Sequence, residues 1–129
     1  MPRFYLSTEN FTLQICHLVR AQREINEARE KFDTVKAIRC AGYADAVFTF
    51  LHHAQETPGP EYVDLNVSNE AFNEWWLAMV AIRDDWIAAK DDRKAARLSG
   101  RLADHGAMMF GWVDPEIMRN ANQNEVQKP

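Results

Sequence analysis

An all-α, single-domain bundle of about four to five helices is the fold class the sequence predicts, on three observations. First, its five prolines stand at 2, 58, 60, 115 and 129, so the stretches 3–57 and 61–114 carry none. Proline removes a backbone donor and clashes one turn back, so stretches this long without it fit long helices and exclude a turn-dense β chain. Second, one helix-start pattern occurs three times. Ser7, Ser68 and Asp114 each follow an apolar residue (Leu6, Val67, Val113) and precede another by four positions (Phe11, Phe72, Met118). The cap oxygen accepts an otherwise unpaired amide, and the apolar pair fixes how the chain enters the helix. Third, apolar residues recur at intervals of three and four after these starts.

The first helix is expected from about Thr8 to about Arg39. Glu9 lies in its first turn, as Glu70 and Glu116 do in two later helices, where negative charge suits the helix dipole. Its seam is Leu18, Ala21, Ile25, Ala28, Phe32 and Val35, whose small members let a partner helix come close. The solvated face pairs Arg20 with Glu24, Arg23 with Glu27 and Glu27 with Lys31 at i,i+4. Gly42 is the expected break, because glycine is poor in helix interiors. A second helix then covers about Ala44–Gln55, apolar except for Asp45, His52 and His53, and Thr57-Pro-Gly-Pro60 ends it. The loop Glu61–Val67 is the one central segment expected to form a short strand-like piece.

A third helix starts after Ser68 and is apolar on nearly every side for three turns, which places it at the centre of the bundle or in an interface. The azimuth of Phe72, Trp76, Met79 and Trp86 is continued by Lys90, Lys94, Arg97 and Arg101. One face of one helix therefore turns from aromatic to basic, so either the helix breaks near Asp91-Asp92 or its second half leaves the core. Leu98 and Leu102 form a separate apolar stripe there. Ser99-Gly100 and Gly106 mark further breaks, with a short helix around Arg101–Phe110. A last short helix follows Asp114, with Pro115 at its first position. The helical domain is therefore expected over 1–119, with 120–129 as a polar, flexible tail.

Charge and cysteine bound the functional classes. Fifteen Lys+Arg against 19 Asp+Glu give a net charge of −4, which argues against nonspecific nucleic-acid binding and is too small for a DNA mimic. Cys16 and Cys40, on one continuous helix, would stand roughly 36 Å apart, beyond any disulfide. Two reduced thiols, no export signal and no apolar run longer than Trp75–Ile82 fit a soluble cytoplasmic chain without a membrane partner.

Catalytic signatures are sparse. Two of the three serines are assigned as caps, and no phosphate-binding glycine loop, Gly-x-Ser-x-Gly, Cys-x-x-Cys or His-Glu-x-x-His occurs. His52 and His53, near a helix C-terminus, are expected to favour the charged form. His105, on the Leu102/Met109 stripe, reads as a satisfied, half-buried side chain. The sharpest enzymatic pattern is Glu24-x-x-Glu27 followed by Asp45-Ala-Val-Phe-Thr-Phe-Leu. It resembles the all-α NTP pyrophosphohydrolases of the MazG-like group over about 30 residues. That resemblance implies carboxylates converging on Mg²⁺ to orient water against a triphosphate. Gly42 stands where the fourth acid belongs, so the pattern is incomplete here.

The reading that follows is a non-enzymatic protein, without metal or cofactor, that binds a macromolecular partner as a regulator, adaptor or inhibitor. The expected partner-binding residues are Trp86, Lys90, Arg93, Lys94, Arg97 and Arg101, because aromatic and basic side chains supply interface anchors. A protein is the expected partner. The alternatives are a degenerate pyrophosphohydrolase and a nucleic-acid-associated protein using the basic face. Self-association is expected through the Leu18–Val35 seam of the first helix, unless the chain's own third helix fills it.

Overall fold

Five helices carry the chain: α1 (Thr8–Glu30), α2 (Thr34–Glu56), α3 (Asn69–Ala88), α4 (Asp92–Ala107) and α5 (Pro115–Gln127). Two short strands, β1 (Arg3–Phe4) and β2 (Val63–Asp64), and a 3₁₀ turn at Met108–Trp112 complete it. The structure, a computed structural model, describes residues 1–59 and 61–127. The helical bundle is as the sequence predicts, and no helix among the described residues is long and apolar enough to cross a membrane.

All three expected helix starts are present. Ser7 accepts from the Asn10 amide and Ser68 from the Ala71 amide, both at 3.1 Å, while Asp114 accepts from Glu116 at 2.8 Å. The Glu61–Val67 segment does form a strand. Its partner is the N-terminus, antiparallel, with Arg3 opposite Asp64 and Phe4 opposite Val63. The Leu65 amide donates to Pro2 O and the Asn66 amide to Trp112 O, so this loop ties both ends of the bundle together.

The first boundary differs from the expectation. The chain reverses at Lys31–Asp33, not near Gly42, and α1 and α2 form an antiparallel pair of 23 residues each. Phe32 adopts φ 57°, its amide donates to Arg29 O at 3.1 Å, and the Asp33 amide donates to Ala28 O at 2.8 Å. These two bonds close the helix with a left-handed residue, a position glycine usually takes. Asp33 then caps α2 by accepting from the Lys36 amide at 3.1 Å. The reversal splits the expected seam: Leu18, Ala21, Ile25 and Ala28 are buried, whereas Phe32 and Val35 are exposed. The buried part is covered mainly by α2, α4 and α5 of the same chain and not by the third helix as expected, so it is not available to a second copy.

Gly42 lies within α2, where an added Cβ would meet only Trp86 Cη2 at an ordinary 3.8 Å. Gly42→Ala is therefore expected to stabilise the protein by about 0.5–1 kcal/mol, since alanine gains helix propensity without a clash. Urea unfolding measures it; a loss of stability would show that the Gly42–Trp86 contact is tighter than ordinary van der Waals packing.

α3 does break beside Asp91-Asp92. Asp91 caps α4 by accepting from the Lys94 amide at 2.8 Å. The aromatic and basic residues therefore belong to two helices and do not form one continuous face. α4 runs unbroken through Ser99-Gly100 and Gly106, contrary to the expected breaks, because its small residues lie against α1 and α2. At Gly100 a Cβ would collide with the Arg29 guanidinium, and at Gly106 with the Phe48 ring. Ser99, fully buried, donates its hydroxyl to Ala95 O at 2.8 Å.

At the C-terminal end, α5 continues past residue 119 to Gln127 with Ala121 fully buried, so 120–127 extend the helix where a tail was expected. Residues 128–129 of that expected tail lie outside the described residues.

The core centres on aromatic rings. Phe4 packs on Phe11 and Phe72 at 5.4 and 5.7 Å, and Trp75 contacts Phe48, Phe72 and Trp112 at 5.5–5.7 Å. Trp75 Nε1 donates to His105 O at 2.9 Å, and His105 Nε2 lies 3.0 Å from Trp75 O, which locks α3 to α4. His105 is thus satisfied and half-buried, as expected.

Candidate functional site

Three small residues position the site. Ala28, Ala37 and Ala96 form a separate buried cluster where α1, α2 and α4 meet. Having only methyl side chains, they let three backbones approach closely at this end. A cleft of about 560 Å³ opens above them, lined by Arg29, Phe32, Thr34, Ala37, Asp91, Arg93, Lys94, Ala96 and Arg97.

Four cations therefore face one cleft with a single carboxylate, and that carboxylate, Asp91, is engaged by the Lys94 amide. Arg29, Arg93, Lys94 and Arg97 make no ion pair among the described residues, unlike Arg3, Arg20, Arg23 and Arg83. The Arg29 guanidinium lies over the backbone of α4 in the space that Gly100 leaves open, which joins the α1 cation to the α4 group.

The rim residue Phe32 is the unusual member. It is 89% exposed and holds a left-handed backbone. For a residue with a Cβ that conformation costs roughly 1–2 kcal/mol, and leaving a phenyl ring in water recovers none of it. Strained backbone positions cluster at ligand-binding and switch sites.

Of the expected partner-binding residues, Arg93, Lys94 and Arg97 line the cleft together. Arg101 is exposed on the same helix, about one turn beyond Arg97, and lies outside the lining. Lys90 is exposed in the α3–α4 connection. Trp86 is elsewhere: half-buried against the core, close to Gly42, with its Nε1 buried and without a hydrogen-bond partner among the described residues. Arg29 and Phe32 were not foreseen. Asp33, a good cap inside an otherwise helical pattern, was the signal that could have moved the boundary and exposed both.

The residues of the pyrophosphohydrolase resemblance do not converge. Glu24 pairs with Arg20 at 3.4 Å and accepts from the Cys40 thiol at 3.7 Å, and Glu27 pairs with Arg23 at 3.8 Å. Asp45 faces α3 instead, 3.8 Å from Arg83, whose Nη1 donates to Thr49 at 3.5 Å. Burial pushes the Asp45 carboxyl up, and the Arg83 charge opposes part of that rise. Burial also raises the Cys40 thiol, with the neighbouring Glu24 charge adding to it, so this cysteine is held in its unreactive protonated form. No group of three His, Cys, Asp or Glu among the described residues is placed to hold a metal.

His52 corrects a further expectation. It stacks on Trp76 with centroids 4.0 Å apart, and burial lowers its pKa although Glu56 pulls the other way. Desolvation is the larger effect there, with the neighbouring His53 adding to it, and favours the neutral ring.

No protein-family model matches the chain, and neither a curated protein nor a solved structure matches it, so its functional reading rests on this geometry.

Proposed function

We propose that the protein is a non-enzymatic binding protein whose cleft between the α1–α2 corner and α4 takes an acidic segment of a partner protein. The observation that carries this reading is the convergence of Arg29, Arg93, Lys94 and Arg97, without ion-pair partners among the described residues, beside the exposed Phe32. The cations attract carboxylates and steer encounter, while Phe32 and the alanine floor supply apolar contact that charge alone lacks. A protein segment fits better than a nucleic acid, because the cleft is short, carries a carboxylate at its edge and belongs to a chain of net charge −4. Regulation, scaffolding or inhibition of a larger assembly would all proceed through such a contact.

Selection from a random displayed-peptide library against the immobilised protein tests the reading. Enriched peptides are expected to carry two or more Asp or Glu beside an apolar residue. Lys94→Glu combined with Arg97→Glu should weaken them at least tenfold, since like charges then meet in the cleft. The two side chains are exposed on α4, so helicity and melting should be unchanged. Enrichment without acidic bias, equal binding by the reversed variant, or tighter binding of a single-stranded oligonucleotide than of the peptides would overturn it.

A further inference from the structure

The outer face of α2, on the opposite side of that helix from its core, carries a stripe that no described residue covers. Val35, Arg39, Tyr43, Ala46, Phe50 and His53 follow one another at helical spacing and are all exposed. Val35 is 64%, Tyr43 66% and Phe50 47% accessible, three large apolar side chains on one helix face. Beside it a groove of about 470 Å³ lies between α1 and α2, bounded among others by Cys40, Tyr43, Ala46 and Val47.

We infer that this face pairs with the same face of a second copy of the chain, antiparallel, about a two-fold axis between Ala46 and Val47. About that point the two large aromatic residues of the stripe exchange places. Tyr43 then lies opposite Phe50 of the second copy on both sides of the axis, and the small Ala46 residues let the helices close between them. Phe50 of each copy faces the groove beside Tyr43 of the other. A two-fold contact uses one patch twice, which is what a pattern of large, small, large requires.

Charge complementarity supports the antiparallel direction. Lys36 and Arg39 stand near the N-terminal end of α2 without ion pairs among the described residues, and Glu56 is the exposed acid at its C-terminal end. Antiparallel pairing brings Arg39 beside Ala54 of the second copy, within about 3 Å of rise of its Glu56 and next to the negative end of that helix dipole. Parallel pairing would instead stack Arg39 on Arg39.

The affinity is bounded by area. A helix of 23 residues presents a strip about 34 Å long and about 12 Å wide, or about 800 Å² over both copies. That is below the roughly 1,000 Å² of a stable interface, so the dimer is a weak, reversible one.

Sedimentation equilibrium across micromolar concentrations tests this inference. The wild type should move from monomer to dimer with concentration. Ala46→Arg, which places a charged, bulky side chain at the axis, should weaken association at least tenfold while circular dichroism and melting stay unchanged. Arg39→Glu and Glu56→Arg should each weaken it by roughly two- to fivefold, and the double variant should restore it. The Lys94→Glu/Arg97→Glu variant should dimerise like the wild type, so failure of the cleft reading would leave this one standing. A chain that stays monomeric throughout, a dimer indifferent to Ala46→Arg, or a double variant without rescue would each overturn the proposal.

Discussion

Trp75→Ala is expected to cost about 3–5 kcal/mol of stability, the range for removing a large aromatic from a packed core. Trp75 is 5% exposed and its ring meets Phe48, Phe72 and Trp112, which come from α2, α3 and the 3₁₀ turn. Its indole also donates to His105 O, so truncation empties the centre of the core and removes a hydrogen bond between α3 and α4 together. Domains of this size hold roughly 5–15 kcal/mol in all, so the variant should be marginal at 37 °C. Trp75→Phe, keeping most of the apolar area and losing the hydrogen bond, should cost less than Trp75→Ala. Urea unfolding followed by circular dichroism reads both. A loss below 1 kcal/mol for the alanine variant would mean that α3 does not form the centre of the fold.

Two glycines of α4 should respond to alanine with opposite signs. At Gly106 the new methyl would stand 2.6 Å from Phe48 Cε2 and closer still to Cζ. Phe48 is 4% exposed, with Trp75 edge-on at 5.7 Å, so it has nowhere to retreat. Overpacking costs roughly 1–3 kcal/mol, of which better helix propensity returns about 1. At Gly100 the obstacle is the end of the exposed Arg29 side chain, which swings away freely. Gly100→Ala is therefore expected to keep or raise stability by up to about 1 kcal/mol. It should also weaken cleft binding, because Arg29 loses its place over α4. Thermal melts of the two variants separate these outcomes; equal destabilisation at both positions would show that Arg29 is as fixed as Phe48.

Much of the fold was legible in the sequence because local chemistry and tertiary packing agree there. Ser7, Ser68 and Asp114 cap the helices expected of them, and each adjoining apolar pair belongs to the core or packs against it. The failures at Gly100 and Gly106 share one cause: local propensity makes glycine a helix breaker, whereas close packing demands it there. Gly100 and Gly106 are glycine because α1 and α2 press on α4, a fact that no local pattern carries. The true break at Phe32 uses a left-handed phenylalanine, for which propensity gives no warning. The site was half legible for the same reason. Arg93, Lys94 and Arg97 share one helix turn and could be grouped from spacing alone. Arg29 and Phe32 reach them only through the reversal at Lys31–Asp33, and Trp86 was drawn in by an azimuth that the break at Ala89–Asp91 cancels.

The central claim is that Phe32 holds a strained, exposed conformation because the cleft binds through it. Phe32→Gly measures that claim from both sides, with stability by urea unfolding and affinity for the acidic peptides selected on the wild type. Glycine accepts φ 57° without strain, so stability should rise by up to about 1 kcal/mol while peptide affinity falls at least tenfold. A variant that binds those peptides as tightly as the wild type would contradict the account.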